Sequence, residues 1–287
     1  MSQFAKRRID VTINLGEGQF GEDKGKDVTL TGLRVSAKIV YYKGAVQGSA
    51  QIRIFGLPLS MINQLTGTGI GALEVRRNTI LIAAGDKDGK MSTIYQGQIR
   101  YAYGDFGGAP DSALDIIALA VATDAVKPVD ASSYRGDVDA AVIMSDLAKK
   151  LGLTFENNGV SVMLSNPYFP GTAWQQIMDC GEAAGIDYTI DRGILAIFPK
   201  LGARTLDGPV EVSPETGMVG YPTFWDQGLA VTTLFNPNIS IGGQINVVSD
   251  ITVACGVWNS FNIFHTLESK TPNGQWFTQI QCSRPPQ

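Results

Sequence analysis

The glycine-rich segment Gly16-Glu17-Gly18-Gln19-Phe20-Gly21 has the spacing of a dinucleotide-binding loop. In that chemistry a helix follows the last glycine, and its N-terminus holds the pyrophosphate. Here the charged residues 22–26 follow, and then another strand-like run, so no helix dipole would face a phosphate. The sequence therefore predicts a flexible loop at residues 16–21.

A second candidate is Asp86-x-Asp88-Gly89, which has the opening pattern of a calcium-binding loop. The later oxygen ligands, including the glutamate that closes such a loop, are missing. Asp-Gly is a turn signal, and strand-like runs at 79–83 and 92–95 flank it. We therefore expect the tip of a β-hairpin and no metal site.

His265 is the only histidine of the chain. That excludes a metal site with two histidine ligands and leaves one possible base for a Ser-His-Asp triad. His265 alternates with Phe261, Ile263 and Leu267 on an apolar strand face, and no Gly-x-Ser-x-Gly segment is present. A structural, hydrogen-bonded histidine is the favoured interpretation, and a triad stays open as the alternative.

Two carboxylate pairs, Asp137/Asp139 and Asp111/Asp115, have residue types suited to acid–base chemistry. Asp137 is better explained as the N-cap of a helix running to about Leu151, and Asp139 as a favourable charge in its first turn. The four tryptophans are scattered, which favours packing over a sugar-stacking row. The sequence therefore predicts no catalytic residue, no cofactor, and a protein that is not an enzyme.

The composition is that of a globular protein of about two domains, with 287 residues of which 44% are hydrophobic. Lysine and arginine number 23 against 27 aspartates and glutamates, so the net charge of −4 argues against a nucleic-acid-binding surface. The longest basic cluster is Lys6-Arg7-Arg8. No secretory signal or membrane-spanning stretch is recognisable, and three cysteines without CxxC spacing fit a reducing cytoplasm.

The hydrophobic pattern predicts strands first, then a mixed segment, then strands again. Residues 33–42 and 50–55 alternate with period two, and one short helix is expected at 58–65. In the middle, Thr172 and Gln175 form a capping box for a helix that ends before Gly185. Short strands at 153–155 and 160–162 and a tight hairpin over 186–198 complete an α+β module, and strands follow at 229–233, 244–248 and 261–267.

Several stretches of turn and strand residues resemble phage baseplate hub proteins, related to the hub part of contractile injection systems. They are residues 157–160, 166–172, 180–198 (CGEAAGIDYTIDRGILAIF), 213–222, 234–238 and 265–272. The resemblance spans nearly the whole chain and is strongest from about residue 131 onward. No catalytic motif contributes to it, so its specificity comes from the order and combined length of the stretches.

The resemblance implies a mainly β fold, with two tail-tube-like β-barrels and a small α+β domain. The implied domains are a first barrel at 1–105, a second barrel at 106–130 and 200–287, and an inserted domain at 131–199. The strand at 114–118 is expected in the second barrel.

The implied function is that of a baseplate hub. A homotrimeric ring of six barrels would adapt a six-fold tail tube to a three-fold central spike and line the DNA channel. Its partners would be the tail tube or a tube-terminal adaptor, the spike, and surrounding baseplate or wedge proteins. DNA would pass without specific binding, and no membrane would be involved. The expected location is the virion tail, after assembly in the bacterial cytoplasm.

Strand edges of 33–42 and 50–55 are expected to contribute to the subunit interface, because edges carry unpaired backbone groups. The residues proposed for it are Arg34, Lys38, Tyr42, Gln51 and Arg53. Two alternatives from other classes remain: an all-β cell-wall hydrolase and a host-sugar-binding virion module.

Overall fold

The computed structural model describes residues 6–20, 25–67, 78–86, 89–122, 125–206 and 208–285. In these residues the chain is mainly β. The strands are β1 (Arg7–Asn14), β2 (Asp27–Leu30), β3 (Val35–Tyr42), β4 (Ser49–Phe55), β5 (Thr79–Asp86), β6 (Met91–Asp105), β7 (Ala113–Leu119), β8 (Ser132–Ser133), β9 (Asp137–Asp139), β10 (Thr154–Asn157), β11 (Met163–Ser165), β12 (Tyr168–Phe169), β13 (Ile186–Asp191), β14 (Ile194–Pro199), β15 (Val210–Val212), β16 (Thr223–Trp225), β17 (Gly228–Leu234), β18 (Gln244–Val247), β19 (Gly256–Ser269) and β20 (Trp276–Ser283). The helices are α1 (Leu59–Leu65), α2 (Ala140–Lys150) and α3 (Ala173–Ala184).

The chain divides into two compact units. The first unit comprises Met1–Ile39, Ser49–Thr123 and His265–Trp276. The second unit comprises Val40–Gly48, Asp124–Phe264 and Phe277–Gln287. The chain passes from one unit to the other within β3 and within β19.

The first unit is built on the strand order β3–β4–β7–β6–β5–β1–β2. Its core comes from period-two alternation, which buries every second side chain of a strand. In β1 these are Ile9, Val11 and Ile13, all at most 1% exposed. The strand at 114–118, expected in the second barrel, is β7 and pairs with β4 and β6 in the first unit.

The second unit has the strand order β16–β17–β20–β19, with β18 on β19 and β15 parallel to β18. The predicted strands at 229–233, 244–248 and 261–267 are confirmed as β17, β18 and part of β19. Their alternate residues, among them Leu229, Val231, Ile245 and Val247, are buried.

The α+β module lies within the second unit. Its sheet has the order β10–β14–β13, with β13 and β14 forming the predicted hairpin and β10 running parallel to β14. Helices α2 and α3 each bury an apolar stripe, in which Ile143, Leu147 and Ile177 are fully buried. The expected strand at 160–162 is wrong, because the pairing strand is β11, which lies opposite β9.

The caps of the two longer helices follow from local side-chain chemistry. The Thr172 hydroxyl accepts a hydrogen bond from the Gln175 amide, and Gly185 ends α3 with a left-handed φ of 60°, which glycine adopts without steric cost. Asp137 is not the cap of α2, because it pairs with Ser165 in β9. Asp139 is the cap, and its carboxylate accepts from the Ala141 amide at 2.9 Å.

Candidate functional site

The glycine-rich segment connects two strands that pair with each other. The amide of Leu15, just before it, donates to the carbonyl of Lys26 at 2.9 Å, and β1 and β2 continue that antiparallel pairing. Gly21 lies outside the described residues. The segment therefore belongs to the connection between β1 and β2, and β2 is the next element that the structure describes after it.

The aspartate-glycine segment lies at the connection of β5 and β6, which pair antiparallel as expected. Asp86 ends β5, and its carbonyl accepts from the Gly89 amide at 3.0 Å. Asp88 lies outside the described residues. In the described part of the chain, no group of three or more His, Cys, Asp or Glu side chains is placed to hold a metal ion.

His265 is 5% exposed and lies in β19 between the buried residues Ile263 and Leu267. Its position on an apolar face agrees with the predicted structural role. Three of the four aspartates in the candidate acid–base pairs have structural partners. Asp139 caps α2, Asp111 contacts Arg34, and Asp115 contacts Arg53.

The three cysteines are free. Cys180 and Cys282 are buried and Cys255 is exposed. Burial raises the pKa of the Cys180 thiol to about 12, so this thiol stays protonated and unreactive at neutral pH. In the described ranges no helix combines the length and the apolar character needed to cross a membrane.

One surface of the first unit concentrates arginines, aspartates and aromatic rings on the outward side of β4, β6 and β7. We call it the first-unit face and define it by the residues Arg34, Arg53, Phe55, Tyr101, Tyr103, Asp105, Phe106, Asp111 and Asp115. The strand register sets its middle row, because Arg53 lies opposite Asp115 and Asp115 lies opposite Tyr103. Side chains directly opposite on one face of a sheet interact most strongly.

The phenyl ring of Phe55 organises the two arginines of the first-unit face. The Arg34 guanidinium lies 3.6 Å from the ring centroid and the Arg53 guanidinium 5.4 Å, both within cation–π range. Arg34 also contacts Asp111 at 3.5 Å, and Arg53 contacts Asp115 at 3.2 Å and forms a second ion pair with Asp105. The Phe55 ring and the paired carboxylates hold the two arginine side chains in defined positions.

The protonation equilibria of the first-unit face reflect these contacts. The hydrogen bond from the Gly107 amide, aided by Arg53, lowers the pKa of Asp105. Burial raises the pKa of Asp115 despite the nearby Arg53. Arg53 therefore contacts two different carboxylates. The ionised form is stabilised in Asp105 and destabilised by burial in Asp115.

Exposed aromatic rings surround this charged centre. Tyr103 is 48% and Phe106 49% exposed, and Tyr101 carries the Arg100 guanidinium 5.1 Å from its ring centroid. Tyrosine, phenylalanine and arginine are enriched in protein–protein interfaces, where lysine and glutamate are depleted. The arginines and aromatic rings of the first-unit face are thus residue types that interfaces favour, and its three aspartates, a type that interfaces deplete, are paired with the two arginines.

The five residues proposed for the subunit interface do not all meet. Arg34 and Arg53 come together on Phe55, and Gln51 lies one row along β4. Lys38 is exposed on β3. Tyr42 belongs to the second unit, where its ring makes an edge contact with Phe264.

The contribution of these two strands to the subunit interface stays a prediction, but unpaired strand edges are not available to provide it among the described residues. β3 is hydrogen-bonded to β19 and β4, and β4 is hydrogen-bonded to β3 and β7, so neither has a free edge along the sheet. They can contribute only through their outward side chains. Tyr101 and Tyr103 were missed, although their alternation with buried Ala102 was the signal that could have found them.

The second unit carries an exposed aromatic edge, defined by Tyr221, Phe224 and Trp225. Phe224 and Trp225 lie in β16, the last strand of its sheet, which pairs only with β17 among the described strands. Tyr221 is 64% and Phe224 52% exposed, while Trp225 stacks on Phe261. An exposed apolar edge strand is a site for pairing with another chain.

A buried ionic cluster lies elsewhere in the second unit. Arg204, whose side chain is 3% exposed, donates two hydrogen bonds to Glu156 and one to Asp191 at 2.8–2.9 Å. Arg192 donates two more to Asp191. Perturbed buried charges can mark active sites, but here each carboxylate is paired with a guanidinium, so the cluster is a structural clamp.

This clamp joins the α+β module to the chain around residues 237–241 within the second unit. Arg204 also donates to the Ile241 carbonyl, and Arg192 to the Pro237 carbonyl and the Ser240 hydroxyl. The hydrogen bond from Arg204 lowers the pKa of Glu156. The carboxylate therefore stays ionised in the folded protein well into the acid range.

The fold is shared with proteins of phage and prophage tails. A tail protein from Neisseria meningitidis MC58 matches with a TM-score of 0.61 at 12% identity, covering 96% of both chains. The 43 kDa tail protein of prophage MuSo2 from Shewanella oneidensis matches with a TM-score of 0.59 at 11% identity, covering 96% of this chain and 98% of its own.

A third similar structure is the E. coli c3393 protein, a component of the type VI secretion system with structural similarity to the T4 tail proteins gp27 and gp5. Its TM-score is 0.58 at 7% identity, and the match covers 88% of this chain and 74% of that one. No curated protein sequence matches the chain.

These similarities define the fold as the mainly β fold found in tail proteins. The predicted fold class, two tail-tube-like β-barrels with a small α+β domain, is confirmed. The chain belongs to the baseplate hub gp41 family, whose model matches residues 8–263. It is therefore a structural protein of a phage tail baseplate, as the resemblance implied.

Proposed function

We propose that the protein is the trimeric hub that joins the six-fold tail tube to a three-fold spike. Three chains with two β-barrels each would present six similar barrels to the six-fold tube. The three-fold arrangement of the chains would match the spike. The observation that carries this proposal is the first-unit face, where Arg34, Phe55 and Arg53 form a fixed stack among exposed aromatic rings.

A closed ring needs two different patches on each chain, because cyclic trimers use heterologous contacts. The first-unit face and the aromatic edge are two such patches, and they differ in chemistry. One is charged at its centre with aromatic side chains around it, and the other is a strand edge with exposed rings. We propose that they form opposite sides of the subunit contact.

The charge of the chain suits a ring through which DNA passes. Three chains at −4 each give 3 × −4 = −12, so the DNA phosphates would meet no excess of positive charge. We propose that DNA passes through the ring without being bound specifically. The proposed partners are the tube or its adaptor, the spike and the surrounding baseplate or wedge proteins. The proposed role in the virion is purely structural, after assembly in the host cytoplasm. The inserted domain is proposed to span residues 131–199.

The experiment is a mass measurement in solution by light scattering, at several protein concentrations. The wild-type chain is expected to give three times the mass of one chain. The variants Arg53→Glu and Phe224→Ser should each shift the mass toward that of a monomer, since they alter the two proposed patches. A wild-type protein that stays monomeric and also fails to enter tail particles would contradict the proposal.

A matched control for Phe224→Ser is Val126→Ser. Val126 is another exposed apolar residue of the second unit, and it lies outside the aromatic edge. This control should leave the trimer intact. If it dissociated the trimer as strongly as Phe224→Ser, the effect could not be assigned to the aromatic edge.

A further inference from the structure

A groove of about 640 Å³ opens on the first unit, and none of the residues that define the first-unit face lines it. Three chain segments line it: Lys6–Ile9 from the start of β1, Thr31–Leu33 between β2 and β3, and Glu268–Thr271 at the end of β19. Its volume lies within the range of ligand sites in proteins.

One wall of this groove is an open strand edge. The pairing of β1 with β2 covers only Val11–Asn14, whereas the pairing with β5 covers the whole of β1. Continued pairing would put Thr31 opposite Asp10. Instead the chain turns away at Gly32, whose φ of 68° lies in the left-handed region that glycine adopts freely. Among the described residues, 7–10 therefore have no strand on this side.

The register shows which backbone groups face the groove. Leu15 donates its amide to Lys26 on the β2 side, so the odd-numbered residues of β1 direct their backbone N–H and C=O groups toward that side. By the same alternation, Arg7 and Ile9 direct theirs into the groove. An extended peptide placed there can form regular antiparallel or parallel hydrogen bonds with both residues.

The charged side chains around this edge are basic with one exception. Lys6, Arg7, Arg8 and Lys270 line the groove, and their charge is opposite to the net negative charge of the whole protein. Arg7 is held by a hydrogen bond to the Gly274 carbonyl and by the Trp276 ring, and Arg8 pairs with Asp10. The one acidic lining residue, Glu268, accepts from the Gln275 amide.

We propose that this groove binds an extended acidic peptide segment of a partner protein, which adds as a strand to the open edge of β1. Strand addition supplies affinity through backbone hydrogen bonds and specificity through alternate side chains. Acidic side chains at every second position would meet the basic rim, and apolar ones between them would face Leu33. The proposal is independent of the trimer contacts, which involve other residues.

The test measures binding of a short fluorescent peptide with alternating aspartate and valine to the full chain, by anisotropy. The same peptide with lysine in place of aspartate serves as the charge control. A third peptide carries N-methyl groups on the amides that would pair with Arg7 and Ile9. Binding of the acidic peptide and failure of both others supports the proposal, whereas equal binding of the N-methylated peptide overturns it.

Protein variants locate the site. Lys6→Glu combined with Lys270→Glu should raise the dissociation constant of the acidic peptide about tenfold, since charge reversal acts on both sides of the groove. The control, Lys127→Glu combined with Lys200→Glu, changes the net charge equally at exposed lysines outside the groove and should leave binding unchanged.

Two other results would overturn the proposal. One is binding to a single-stranded DNA oligonucleotide with the same site dependence and greater affinity, which would make the groove a general anion site. The other is the absence of any peptide binding by a wild-type protein of native circular dichroism.

Discussion

At the scale of single residues, the most deeply buried charged groups of the described residues serve stability. Arg204 and Asp191 have side chains that are each 3% exposed, and their partners complete a closed set of ion pairs. No sequence pattern indicates this cluster, because Glu156, Asp191 and Arg204 are not neighbours along the chain. Only the folding of β10 and β13 onto one sheet brings them together.

Asp191→Asn is expected to lower the free energy of unfolding by about 3 kcal/mol, because it takes one of two carboxylate partners from the buried Arg204 and the carboxylate partner from Arg192. The measurement is urea unfolding followed by circular dichroism. Asp146→Asn is the control, since its ion pair with Lys149 is largely exposed, and it should cost less than about 1 kcal/mol. An equal loss of unfolding free energy in the two variants would show that the buried cluster stabilises the protein no more than an exposed ion pair does.

Glu156 should make the stability of the protein depend on acid pH. Its pKa is lowered in the folded state by Arg204, so its contribution is complete above the pKa of an unfolded-chain glutamate. The contribution is lost as the pH falls through the lower folded-state pKa. The difference in unfolding free energy between wild type and Glu156→Gln should therefore be largest near neutral pH and shrink on acidification. A difference that stays constant down to strongly acid pH would refute this.

At the scale of elements, the sequence predicts correctly those helix ends and turns that depend only on neighbouring residues. The Thr172 cap, the end of α3 at Gly185 and the hairpin of β13 and β14 all lie where the sequence predicted them. The cap of α2 was placed two residues early, since Asp137 and Asp139 are both good caps and the pairing of β9 with β11 decides between them. Long-range pairing likewise assigned β7 to the first unit.

The α+β module should be removable, at a cost in stability. Replacing residues 131–199 by a Gly/Ser linker is expected to keep the strand signal in circular dichroism, because the other strands of both units remain. The melting temperature should fall, since Phe198 is fully buried and its ring lies close to Gly242, and that surface would become exposed. Complete loss of the strand signal would refute the boundaries.

At the scale of the whole molecule, sequence reasoning reached the family and the fold class because turn and strand order persists along the chain. It did not reach the contact surfaces. Alternation marks Arg34, Lys38, Gln51 and Arg53 as outward, but it cannot tell which strands end a sheet. Sheet order is set by pairings between distant segments. Among the described strands, it leaves one side of β16 unpaired and covers β3 and β4 on both sides.

The ring itself is the last prediction. In a particle structure, three copies of this chain should surround the tail axis, with the two barrels of each chain superposing on one another and lining one channel. A six-fold tube and a three-fold spike differ in symmetry, and six similar barrels from three chains satisfy both. Because the ring closes through heterologous contacts, the first-unit face of one chain should meet a different patch of its neighbour, and the aromatic edge is the patch with the exposed apolar area to match.

The measurement is an electron-microscopy reconstruction of tails assembled with wild-type protein and with Phe224→Ser. Wild-type tails should show the ring, and the variant should give tubes without an attached spike, because the subunit contact forms before the spike can dock on three-fold symmetry. Val126→Ser tails should be indistinguishable from wild type. A reconstruction with this chain as a single copy on the outer surface, away from the tail axis, would rule out the hub arrangement.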